Sequence, residues 1–210
     1  MANNEPTLDQ LTTLFARATQ INADRNLAKF RETTGGSPDV SIEAHRVAML
    51  YWLNSWLCRI GYQRDGEPDK FGDSLIAWQH EYGSSLPSAP LTALNTSDIK
   101  VIADAYDDLR AKPATPRRSI APTAAAKILF VVRPETIPPW DRKIAFGTVG
   151  GVTKSHFAEH ITQGNRWAVG IHAEAEARSI SNIPTHVGRP NSSLAKIWDE
   201  WHYLTITRGL

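Results

Sequence analysis

From Thr123 to Val132 the chain reads Thr-Ala-Ala-Ala-Lys-Ile-Leu-Phe-Val-Val, a run with one charge, Lys127. Three alanines followed by large apolar residues specify a helix that packs unusually closely against its neighbours. Pro134 cannot continue that helix, because proline lacks the N–H and clashes with the preceding turn. Pro138 and Pro139 then hold the chain extended up to Trp140. Asp141 stands where a second helix, Arg142-Lys143-Ile144-Ala145-Phe146, begins. An aspartate there can accept a backbone N–H of the first turn, so Asp141 reads first as a helix cap. Helix, proline-punctuated turn and second helix form the unit around which the other segments are arranged.

The rest of the chain supplies more helix. Leu8, Leu11, Leu14, Phe15 and Ala18 keep helical spacing across residues 7–20, with Thr7 as cap. Residues 22–39 read as a short helix and a loop. Val47, Ala48, Leu50, Tyr51, Leu53, Trp56, Leu57 and Ile60 suggest a core helix opened by Ser41, buried on most sides and ended by Gly61. Residues 64–69 form a turn-rich loop without the alternation of a calcium site. Helices follow at 71–82 and 97–111, the latter carrying Asp98, Asp104, Asp107 and Asp108 on its outer face. Residues 112–121 are a proline-broken basic connector, and 147–151 a glycine-rich turn without a P-loop ending. Two helical pieces are expected after Thr153, divided near Gly164 and Gly170. Residues 184–190 are loop, and Ser192 or Ser193 caps a last helix through Trp201. Only Tyr203–Thr207 has clear β-character. The expected architecture is all-α: one helical domain over residues 1–210, with possible lobes at about 1–111 and 112–210.

Composition restricts the function classes. One cysteine, Cys58, rules out an internal disulfide and a multi-cysteine zinc site, and suits a reducing cytoplasm. The opening Met-Ala-Asn-Asn-Glu-Pro has no basic region ahead of an apolar stretch, and no run approaches the length needed to span a bilayer, so a cytoplasmic protein without membrane contact is expected. His156 and His160 share a helix face, but the acid at 159 is misplaced for a metalloprotease, and His172 and His186 add no known spacing. No serine sits in a Gly-x-Ser-x-Gly turn. Neither a metal nor a cofactor is expected.

A net charge of +1 conceals a local separation. Between Arg110 and Lys143 there are eight basic residues (Arg110, Lys112, Arg117, Arg118, Lys127, Arg133, Arg142, Lys143) against Glu135 and Asp141, a local net of +6. Such a segment suits a phosphate-bearing partner.

The window Thr123–Ala145 resembles the helix-hairpin-helix DNA glycosylase superfamily, on its oxoguanine-glycosylase side. The signature is Ile137-Pro138-Pro139-Trp140-Asp141, after an alanine-rich helix and a short loop. The resemblance implies a two-lobed helical fold, a role in DNA repair, and hydrolysis of an N-glycosidic bond. It assigns Asp141 the carboxylate that stabilises positive charge on the sugar or orients water. The family's glycine-bearing hairpin corresponds here to Ser119-Ile120-Ala121-Pro122-Thr123, which has no glycine. Its lysine nucleophile counts back to Pro122, with Lys127 the nearest amine, so a lysine-independent hydrolysis is preferred. Arg117, Arg118, Arg133, Arg142 and Lys143 become candidate DNA contacts, and Trp140 a candidate wall for an extruded base. The partner is then nucleic acid, DNA first, or a nucleotide-like ligand. Two alternatives remain: a binding protein on the same fold without the chemistry, and a helical scaffold in which Asp141 is only a cap. Lys196–Tyr203, rich in acids and aromatics, could close a pocket, but reads more simply as an amphipathic helix with a solvated acidic face.

Overall fold

A computed structural model describes residues 5–18, 22–62 and 66–210. Among the described residues ten α-helices carry the fold: α1 Leu8–Arg17, α2 Asn22–Thr34, α3 Glu43–Ser55, α4 Lys70–Tyr82, α5 Thr96–Ala111, α6 Pro122–Val132, α7 Arg142–Thr148, α8 Lys154–Ala177, α9 Ile183–His186 and α10 Leu194–His202. Local capping explains most of the boundaries. The side chains of Thr7, Asn95, Thr153 and Ser193 each accept a backbone N–H of the turn they open. The described residues are all-α apart from one small hairpin.

α6 is enclosed on every side: Ala124 through Val132 are all buried. The alanines let α3 and α5 approach it. α8 is a single helix across the expected break. Phe157, His160, Ile161, Gly164, Trp167, Ala168, Ile171 and Ala175 form one buried stripe. A Cβ at Gly164 would lie 3.4 Å from both the Pro138 ring and the Trp198 indole nitrogen. The glycine is therefore a point of close approach between α8, the proline turn and α10, which offsets its helix penalty of roughly 1 kcal/mol. α1 packs on α8, with the Trp167 indole donating to the Pro6 carbonyl at 3.0 Å and Arg178 pairing with Asp9 at 2.9 Å. The buried residues of both halves join one hydrophobic cluster.

Further expectations differ from the structure. The connector at 112–121 holds a two-stranded antiparallel hairpin, β1 Pro113–Thr115 and β2 Arg118–Ser119, docked on α4 by a 2.7 Å bond from the Ser74 hydroxyl to the Pro113 carbonyl. Tyr203–Thr207 is a π-helix continuing α10, not a strand. Its β-branched residues are accommodated because the Thr205 hydroxyl returns to the Trp201 carbonyl at 2.8 Å and Leu204 is buried. α3 buries only one stripe, Met49, Trp52 and Leu53, and leaves Val47 and Tyr51 outside. It ends at Ser55, well before Gly61. Leu57 and Arg59 adopt left-handed φ values of 60° and 54°. The Asn54 amide holds that turn by bonding both the N–H and the carbonyl of Ile60 at 2.9 Å. Residues 19–20 of the first expected helix, and Arg64 and Asp65 of the expected loop, lie outside the described residues.

Candidate functional site

The turn between α6 and α7 is fixed by backbone groups from two directions. Leu91 N–H donates to the Glu135 carbonyl at 2.9 Å, and the Thr136 hydroxyl to the Ala89 carbonyl at 2.7 Å. From the other side, Ser193, the cap of α10, donates to the Pro134 carbonyl at 2.6 Å. This bracing sets the direction in which Asp141 leaves the turn. Asp141 caps α7: its Oδ1 accepts the Ile144 N–H at 2.9 Å. Its Oδ2 meets only the Thr207 hydroxyl, at 3.5 Å, so this half-buried carboxylate keeps unused accepting capacity.

Lys127 lies inside the protein, 2% exposed, on the side of α6 facing the end of α3 and the π-helix. Its Nζ sits 3.6 Å from the centroid of the Trp56 ring, and Tyr203 meets that indole edge-on at 6.1 Å. Burial holds the Lys127 amine below the usual lysine range and the neighbouring Lys196 adds to this, while Asp199, Cys58 and Asp141 oppose it. Asp141, from the start of the next helix, is the weakest of these influences on Lys127. Cys58 is pushed up to about 11 by burial, so it is no ready nucleophile. Two irregularities flank the cluster: the left-handed turn at Leu57 and Arg59, and the π-helix. Strained backbone and π-helical turns concentrate at working parts of proteins.

The acidic face of α10 is the main feature that sequence reasoning missed. Lys196, Asp199, Glu200 and His202 are buried, not solvated. Lys196 pairs with Asp199 at 3.0 Å, and Arg189 with Glu200 at 2.7 Å while covering the Phe15 ring. His202 Nδ1 donates to the Trp198 carbonyl, 2.8 Å away, and the ring stands edge-on to the Trp198 ring. His160 lies fully buried between Trp140 and Trp198. Its pKa is pushed down to about 3, first by burial and then by His202, against the opposing pull of the Pro139 carbonyl. Spacing carried a partial signal: 196, 199/200 and 203 share a helix face with the apolar 197/198/201 set only if the helix is buried nearly all round.

Other predicted residues separate into two groups. Arg117 and Arg118 are exposed in the hairpin turn, and Arg142 and Lys143 are exposed in the first turn of α7. These four stay available to an anion. Cations in a first turn oppose the helix dipole, which local stability alone would not select. Arg133 departs from expectation: its guanidinium clasps the carbonyls of Gly83 and Val132 at 3.0 Å and is spent on structure. Arg110 pairs with Asp107 at 2.7 Å and Lys112 with Asp108 at 2.9 Å, so the local +6 is partly neutralised by the acidic face of α5. Trp140 is fully buried among Tyr106, Phe157 and His160, where it clamps the turn. His156 caps α8 with Thr153, and no group of three or more His, Cys, Asp or Glu among the described residues could hold a metal ion. No helix among the described residues is long and apolar enough to cross a membrane. Comparison with protein families, curated proteins and solved structures finds no match to this chain.

Proposed function

We propose that this protein acts on the N-glycosidic bond of a modified base in DNA, or of a nucleotide-like ligand, with Asp141 as the working carboxylate and Lys127 as its accompanying amine. The observation that carries this reading is a half-buried carboxylate at the mouth of α7 with one oxygen lightly engaged, fixed by a braced turn. A buried amine on α6, held below its usual pKa by burial, is the second element, and a perturbed group of that kind marks a candidate site. A cation kept in an apolar interior costs stability, so its retention asks for a reason other than folding. In the proposed reaction the sugar develops positive charge as the base departs, and the Asp141 carboxylate stabilises that charge while a water completes the substitution. Arg142 and Lys143, adjacent and exposed, supply attraction for phosphate.

The test is release of free base from a panel of duplexes and single strands carrying modified bases, with wild type and Asp141→Asn. Asparagine caps a helix about as well as aspartate but carries no charge. The expected result is release by wild type and a loss of at least about a hundredfold in the variant, with an unchanged melting temperature. Full activity in the variant contradicts the reading.

A second reading is favoured by one observation: Asp141 is engaged as a cap and Lys127 is sheathed by Trp56. It describes a binding protein without catalysis. Salt-dependent DNA binding by a wild type that releases no base from any substrate would select it.

A further inference from the structure

The exposed side of α3 carries a feature that the proposed reaction does not use. Tyr51 is 62% exposed and Tyr62 is 52% exposed. Their rings meet at 5.3 Å with a 46° tilt. The Asn54 clamp on Ile60 and the left-handed turn at Leu57 and Arg59 bring Tyr62 back over Tyr51, so the pairing is built by the backbone. Both rings line a cleft of about 250 Å³ whose opposite wall is Ala114, Thr115 and Pro116 of the hairpin. Arg117 and Arg118 follow directly, both exposed.

Three carboxylates also line this cleft. Asp69 is committed: it accepts the Gly72 N–H at 2.9 Å and faces the Arg46 guanidinium at 3.8 Å. Glu43, Glu67 and Lys70 also line it, so the cleft carries charges of both signs. The hairpin beyond Pro116 carries the exposed cations Arg117 and Arg118, which favours phosphate on the hairpin side and leaves the rings to uncharged planar groups.

We infer that the Tyr51–Tyr62 pair is a stacking platform for unpaired bases of a DNA single strand, whose phosphates run along the hairpin toward Arg117 and Arg118. Aromatic rings bind bases through their faces without regard to sequence, and adjacent cations track the backbone. A base within a duplex has no free face, so the platform selects unpaired strand. The inference rests on the nucleic-acid part of the proposed function but not on its chemistry.

The experiment measures affinity for a fluorescent oligothymidylate and for a duplex of equal length, over a range of salt, with the full chain. Wild type is expected to bind the single strand more tightly, with affinity falling as salt rises. Tyr51→Ala and Tyr62→Ala should each weaken single-strand binding about tenfold, with little change toward duplex. Tyr51→Phe should retain binding, because the ring and not the hydroxyl stacks. Arg117→Ala with Arg118→Ala should flatten the salt dependence. Equal affinity for single strand and duplex, or alanine variants that bind as wild type, would overturn the inference. So would a dimer in sedimentation that dissociates in Tyr51→Ala, because a second copy would then be the occupant. Base release is scored in parallel. Release that persists with tyrosine variants binding normally defeats this inference alone, and tyrosine-dependent binding without any base release defeats only the proposed reaction.

Discussion

Helices α3 and α10 use their residues in opposite ways. α3 exposes Val47 and Tyr51, whereas α10 buries Lys196, Asp199, Glu200 and His202. Exposed apolar side chains are common and cost little. Buried charges require partners, and α10 has them in Asp199, Arg189 and the Trp198 carbonyl. The difference teaches that cost, not hydrophobicity alone, separates the two helices. Two members of the expensive arrangement, Asp199 and Lys196, act electrostatically on Lys127.

Breaking the α10 network gives the largest expected effect. Asp199→Ala breaks the buried Lys196–Asp199 pair and removes the carboxylate that opposes the charge of Lys196 at Lys127, and should cost about 3–5 kcal/mol in chemical denaturation. Replacing both members, Lys196→Met with Asp199→Leu, should cost much less, and a double-mutant cycle reads the coupling. The buried histidines come next. His160 has a folded pKa of about 3 against an ordinary 6.5, so the unfolded chain binds the proton more readily. Its stabilising contribution is complete above pH 6.5 and is lost as pH falls toward 3, at about 1.4 kcal/mol per unit. His202 adds in the same direction. Urea midpoints measured across that window should drop in wild type and drop less in His160→Phe.

A smaller effect, with the same sign in pH, is expected at Lys127. Its folded pKa is depressed, so protonation favours the unfolded state and stability rises with pH up to about 10.5. Lys127→Met should therefore stabilise by about 1 kcal/mol near neutrality, with the gain shrinking as pH approaches the ordinary lysine range. The other side of the comparison predicts almost nothing: Val47→Thr and Tyr51→Ser should change stability by no more than about 0.5 kcal/mol.

The local parts of the fold were legible in the sequence. Alanines, prolines and an aspartate define α6, the turn and the cap of α7, because each acts within a few residues. Thr7 and a serine at 193 announce their helices for the same reason. What was not legible depends on partners far along the chain. Whether Lys196 and Asp199 face water or core is decided by α8 and the proline turn. Gly164 signals weakness until Pro138 and Trp198 are known to press against it. Strands of three and two residues are too short for periodicity to reveal, and the β-branched Tyr203–Thr207 yields to the helix that precedes it. At the site, Asp141 was readable as cap and candidate acid. The sheathing of Lys127 by Trp56, the structural duty of Arg133 and the burial of Trp140 were not.

The most direct measurement compares Asp141→Asn with Asp141→Ala for both stability and base release. Alanine removes cap and charge, and should lower stability by about 1 kcal/mol; asparagine removes the charge alone. If the carboxylate does chemistry, the two variants lose base release to the same extent while only alanine loses stability. Activity that instead follows stability, retained in asparagine and reduced in alanine, would show that residue 141 only holds the end of a helix.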